Sequence, residues 1–199
     1  LPASMAPSVL RPLVAAAVAV CTYLPPASAA PSIKTVIAHV QCDVCKLAMK
    51  EARGQARNKS ILEEDALTDL ADNLCSPKKT EGNWVAKLDI TREADGAPLA
   101  LQRQDKVGHC RSECKAIQQS CAKAISGKEE AIVSLLLDSA GLAKLQNTVC
   151  EKPCKKKSLP KLDGWVDEEF EEDKDEALNK LMESMKGMPG MGNMQMFKP

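Results

Sequence analysis

Nine cysteines in a chain of 199 residues constrain this sequence more than any other feature. Cross-links at that density persist in an oxidising compartment, where they supplement a small apolar core. The core needs the supplement, because aromatic residues make up only 3% of the chain. An interior of Leu, Ile, Val and Ala suits helices packed through small apolar ridges. The N-terminus agrees with the compartment. Arg11 precedes the apolar run from Leu13 to Val20, and Ala27-Ser28-Ala29 has the form of a cleavage site. Residues 1–29 therefore read as a signal peptide, with Leu1 to Ser4 preceding the first methionine, Met5. The apolar run is too short to span a bilayer. Cleavage after Ala29 removes Cys21 and leaves eight cysteines.

The mature chain is expected to form one mainly α domain over residues 30–157. Val36, Val40, Val44 and Leu47 recur at helical spacing in a first helix from Ile33 to Asn58. Ser60-Ile61-Leu62-Glu63 has the capping-box form and opens a second helix, with Leu67, Leu70, Ala71 and Leu74 on one face. The period then changes. Residues 83–90 and 98–104 read as two strands, with Trp84, Ala86, Leu88 and Ile90 on one side and Asp95-Gly96 in the turn. A third helix is expected over 107–126, with Gly127 as its C-cap. A fourth, bent at Gly141, carries Ile132, Leu135, Leu142, Leu145 and Val149 before Pro153 stops it. Residues 158–199 are acidic and then rich in Met and Gly, and are expected to form a largely disordered tail.

Eight cysteines allow on the order of a hundred pairings, so spacing alone cannot choose. Cys42 and Cys45 sit one turn apart on the first helix, and Cys150 and Cys154 about one turn apart at the end of the last. On antiparallel helices such pairs can form two rungs, Cys42–Cys154 and Cys45–Cys150. Each would close a loop of about a hundred residues, worth on the order of 4–5 kcal/mol in the chain-entropy account.

C-x-x-C on a first helix, a third cysteine ending the second, a fourth mid-chain and a late pair resemble the saposin-B pattern. The inserted hairpin and Ser120-Cys121-Ala122 narrow the likeness. They resemble the canopy family, also described as Toll-like-receptor regulators or MIR-interacting saposin-like proteins. Cys42-Asp43-Val44-Cys45, Asn83-Trp84-Val85, Glu113-Cys114-Lys115 and the tail from Met182 to Gly190 look most like its plant and algal branch. The resemblance implies a disulfide-stapled, saposin-like four-helix domain with an inserted β-hairpin over 83–104. It also implies a third bridge, Cys75–Cys121, and residence in the endoplasmic reticulum lumen or secretion. Some family members act as co-chaperones for receptor ectodomains. Two departures stand out: Cys110 and Cys114 are additional relative to the animal members of the family, and Phe197-Lys198-Pro199 is not a KDEL-like ending. Cys110–Cys114 would be a local bridge across one helical turn, with Cα atoms about 6 Å apart, strained and easily reduced.

The expected function is protein binding by a folding accessory or adaptor whose partners are client or chaperone proteins. A lipid-binding saposin is the alternative, although the expected core helices carry no aromatic anchor. A thiol–disulfide oxidoreductase using Cys110 and Cys114 is a third. Zero formal net charge gives no footprint for nucleic acid. No Ser/His/Asp set or carboxylate pair marks an enzyme, and no cofactor is implied. His39 with Cys42 and Cys45, and His109 with Cys110 and Cys114, match zinc ligands by residue type, but an oxidising lumen favours disulfides. Asn58-Lys59-Ser60 is an N-glycosylation sequon on an expected interhelix turn. Met182, Met185, Met188, Met191, Met194 and Met196 recur in a segment broken by Pro189 and three glycines. Soft thioethers there could touch apolar client surfaces or collect Cu(I).

Overall fold

Helix α1, Ile33–Asn58, is the axis around which the other elements are arranged. The computed structural model describes residues 31–94, 96–155 and 158–175. The expected signal peptide with Cys21, and the methionines from Met182 to Met196, lie outside the described residues. Ser32 caps α1, its hydroxyl accepting the Thr35 amide at 3.4 Å. Val36, Val40, Val44, Ala48, Ala52 and Ala56 recur every fourth residue and are buried. The three alanines let neighbouring backbones approach closely, so a core poor in aromatics still closes. Leu47, expected on that face, is only half-buried.

Four further helices follow: α2 (Glu64–Asn73), α3 (Ser112–Ile125), α4 (Glu129–Leu137) and α5 (Leu142–Val149). They pack so that α1 meets α2, α3 and α5, while α2 meets α4. Strands β1 (Leu88–Thr91) and β2 (Ala100–Arg103) form one antiparallel hairpin, pairing Leu88 with Arg103 and Thr91 with Ala100. The domain is mainly helical, with five helices among the described residues, one hairpin and four disulfides. The disulfides are Cys42–Cys154, Cys45–Cys150, Cys75–Cys121 and Cys110–Cys114. The first two lash the first half of α1 to the end of α5 and the turn after it, and the third joins the end of α2 to α3.

Several local expectations need correction. Ser60 does not open α2. It closes α1 in the left-handed region at φ 49°, with the Ser60 amide on Arg57 O and the Ile61 amide on Ala56 O. That is a Schellman ending, usually built on glycine. The expected fourth helix is two helices for the same reason. Ser139, at φ 52°, ends α4 with amide bonds from Ser139 to Leu136 O and from Ala140 to Leu135 O. Gly141 then starts α5.

The expected first strand begins late. Asn83–Lys87 is a 3₁₀ helix, and only Leu88 onward is extended. Alternation fails accordingly, since Val85 is as buried as Trp84 and Ala86. Gly82 explains the tight turn into this segment: a Cβ there would lie 2.2 Å from the Ser76 carbonyl oxygen. Cys110 precedes α3, so its bridge to Cys114 does not span a helical turn. The Cα atoms are 4.9 Å apart, inside the ordinary range. The premise for strain is gone.

Residues 158–175 are not a loose tail. Leu162 is buried, Trp165 packs on the core, and Gly108 pairs with Glu172 as an isolated antiparallel bridge. The structural unit therefore extends past the expected boundary at 157.

Candidate functional site

Two features stand out on this scaffold: an open groove at one end of α1, and a cluster of three carboxyls, two of them buried, where the acidic segment 158–175 meets α3 and β1.

The groove follows from the two Schellman endings. The first leaves Leu62 facing outward just after it, and Leu136 and Leu137 lead into the second. Ala56, Ile61, Leu62, Leu136, Leu137 and Ala140 line a concavity of about 540 Å³. Leu62 is 82% exposed and Leu137 42%, the exposed large hydrophobics on this face. Arg53 and Arg57 also line it. Arg53 Nε donates to Ala140 O at 3.0 Å, tying α1 to the end of α4. Neither arginine pairs with a carboxylate among the described residues. An apolar floor beside two unpaired guanidinium groups suits an amphipathic segment with acidic edges. Asn58 is the last residue of α1 and is exposed, next to Arg57. The sequon therefore runs from the last residue of α1 into the turn before α2, and Ser60 is not engaged as a helix N-cap.

The carboxyl cluster is built from the start of α3. No side chain of the helix's own N-cap, Arg111, satisfies its first amides. Glu168 does so from the acidic segment: its carboxylate accepts from Ser112 Oγ at 2.8 Å and from the Glu113 amide at 3.2 Å. A negative group at a helix N-terminus also suits the macrodipole. Glu113 reciprocates, with Oε1 accepting the Glu168 amide at 3.0 Å and Oε2 the Ile90 amide at 3.1 Å. One buried carboxyl thus joins α3, β1 and the acidic segment. Burial, then the charges of Asp89 and Asp167, outweigh those amide bonds and push Glu113 up to about 7. Burial and the Asp167 charge likewise raise Asp89 above the ordinary carboxylate range. For Glu168 burial acts upward, but the Ser112 and Glu113 hydrogen bonds and the Arg111 guanidinium prevail and hold it below its ordinary value. Asp89, Glu113 and Asp167 place ligand atoms within 4.8 Å of one another, a donor set of the oxygen type that hard cations take. Sequence reasoning missed this trio, whose members lie far apart in the chain.

No protein-family model, curated protein or solved structure matches this chain.

The other expected site residues divide plainly. All eight cysteines among the described residues are in bridges, so the sulfurs beside His39 and His109 are not available as metal ligands. His39 Nε2 contacts Pro160 O at 2.8 Å, and His109 Nδ1 lies 3.5 Å from Asp173. The tail methionines lie outside the described residues. Among the described residues no helix is long and apolar enough to cross a membrane.

Proposed function

We propose that this chain is a saposin-like, disulfide-stapled binding protein of the secretory pathway. It acts in the endoplasmic reticulum lumen, or after secretion, as a folding accessory or adaptor for client or chaperone proteins. The groove between the ends of α1 and α4 carries the reading: exposed Leu62 and Leu137 lie beside Arg53 and Arg57, which have no acidic partner among the described residues. Its occupant is an acidic, amphipathic segment of the partner protein. Such a segment buries its apolar stripe on the leucines and sets its carboxylates against the guanidinium groups. The four bridges fit an oxidising compartment, and the resemblance to the canopy family supports the same reading.

The test is suppression of aggregation of a reduced, disulfide-containing client. The chain should suppress it, and Leu62→Asp with Leu137→Asp should weaken that effect while leaving the melting temperature in place, because both side chains are exposed. Equal suppression by the double variant would remove the groove from the mechanism. Co-sedimentation with liposomes at acidic pH, without effect on the client, would favour lipid binding instead.

A further inference from the structure

A second cavity, of about 590 Å³, lies at the start of α4, the opposite end of that helix from the groove. The second half of α3, the loop into α4, the end of α5 and Gln41 of α1 enclose it. Ser120, Ala124 and Val149 are buried and make its floor. Three lysines stand around that floor, each from a different place in the chain. Lys123 comes from α3, Lys128 is the N-cap of α4, and Lys152 lies in the turn after α5. None of the three pairs with a carboxylate among the described residues. No Asp or Glu lines the cavity.

The floor carries one side-chain polar atom, Ser120 Oγ. Ser120 is 1% exposed, and its hydroxyl has no hydrogen-bond partner. A serine inside a helix commonly donates to the carbonyl one turn back; this one does not. A buried polar group left unpaired costs free energy, so a lone hydroxyl on a floor otherwise made of Ala and Val points to a partner supplied from outside. The Cys75–Cys121 bridge holds α3 at the next residue, so the helix cannot roll the hydroxyl out to water. No side chain caps α4, whose first amides are further donors at the rim. Glu129 and Glu130 occupy the first turn of α4 but do not line the cavity. Ammonium groups and amides donate, and the hydroxyl can. The matching ligand accepts hydrogen bonds and carries negative charge.

We infer that this cavity binds the phosphate group of a small, soluble phosphomonoester, with Ser120 Oγ and the lysine ammonium groups donating to its oxygens. Three cations around one site exceed what a single carboxylate balances and suit a phosphate, which is close to a dianion at neutral pH. A volume of about 590 Å³ leaves space for the organic part of the ligand. A bilayer headgroup is the less suitable source. None of the exposed large hydrophobics, Leu62, Leu137, Leu159 and Val166, lines the cavity, so its rim offers no apolar anchor to a membrane.

Calorimetric titration of the full chain with inorganic phosphate and with glycerol 2-phosphate, at constant ionic strength, tests this. Each probe should bind at one saturable site and raise the melting temperature. Ser120→Ala should weaken binding of both about tenfold, the loss expected for a hydrogen bond to a charged group. It should not lower the melting temperature of the ligand-free protein, because it removes an unpaired polar atom. Lys123→Gln combined with Lys152→Gln should abolish saturable binding and leave the ligand-free melting temperature in place, since both side chains are exposed. Heats that never saturate would mean diffuse screening by surface lysines and would overturn the site. Binding undiminished in Ser120→Ala would overturn it too. So would sedimentation with vesicles of phosphatidylcholine and phosphatidic acid when neither soluble probe binds, which would make the lysines a membrane contact.

Discussion

Trp84 is the residue on which the 3₁₀ segment depends. It is almost fully buried, and its indole N–H donates to Leu74 O at 2.8 Å, at the end of α2. Trp84→Ala removes that packing and orphans a buried carbonyl. It should cost about 3–5 kcal/mol, read as a shift of the denaturation midpoint; an unchanged midpoint would mean the segment does not anchor the hairpin. Burial of this face was legible in the sequence, but its conformation was not. Period-2 alternation of Trp84, Ala86, Leu88 and Ile90 suggested a strand, whereas burial on all sides from Trp84 to Ile90 hides the period that tells helix from strand. The backbone contact at Gly82 decided it, and nothing in the sequence announces that contact. Ser60 misled in a similar way, because serine is commoner as an N-cap than in the left-handed region, and Ser139 gave no signal that it would break the expected fourth helix.

Among the elements, the bridges differ in access. Cys45–Cys150 and Cys75–Cys121 are buried at both ends, Cys110–Cys114 at one end, and Cys42–Cys154 at neither. Under mild reductant with trapping, Cys42 and Cys154 should be labelled first and Cys45 and Cys150 late. Early labelling of Cys45 would contradict this order. It replaces the expectation that Cys110–Cys114 opens first, which assumed a bridge across one helical turn. The acidic segment 158–175, which lies along residues 106–113 as a strap, offers a second test that leaves its charges intact. Gly108→Val drives a side chain into the Phe170 ring, so it should detach the strap and raise exchange at the Asp173 amide. Helix positions and the two rungs from α1 were legible because spacing encodes them, whereas Cys75–Cys121 was legible only through the family resemblance. The strap was not, because a run of Asp and Glu looks the same whether solvated or paired. Its partners Lys106, His109 and Arg111 lie about sixty residues earlier in the chain, a contact that composition cannot carry.

At the scale of the whole molecule, the domain ends beyond Leu162 and Trp165 and not at 157. A chain ending at Lys155 should melt below one ending at Asp175, by about 2–4 °C for each kcal/mol that the strap contributes. Equal melting temperatures would return 158–175 to the status of a solvated tail. The four bridges make the remainder a stiff scaffold, and on it the groove at the ends of α1 and α4 is the surface to which a function is assigned. The account therefore stands most directly on a titration. Two labelled amphipathic helices with the same leucine stripe, one flanked by Glu and one by Lys, are followed by anisotropy against the full chain. The acidic helix should bind, and Arg57→Glu should abolish that binding without lowering the melting temperature. Equal binding of the two helices, or binding of the acidic helix unaffected by Arg57→Glu, would contradict the account.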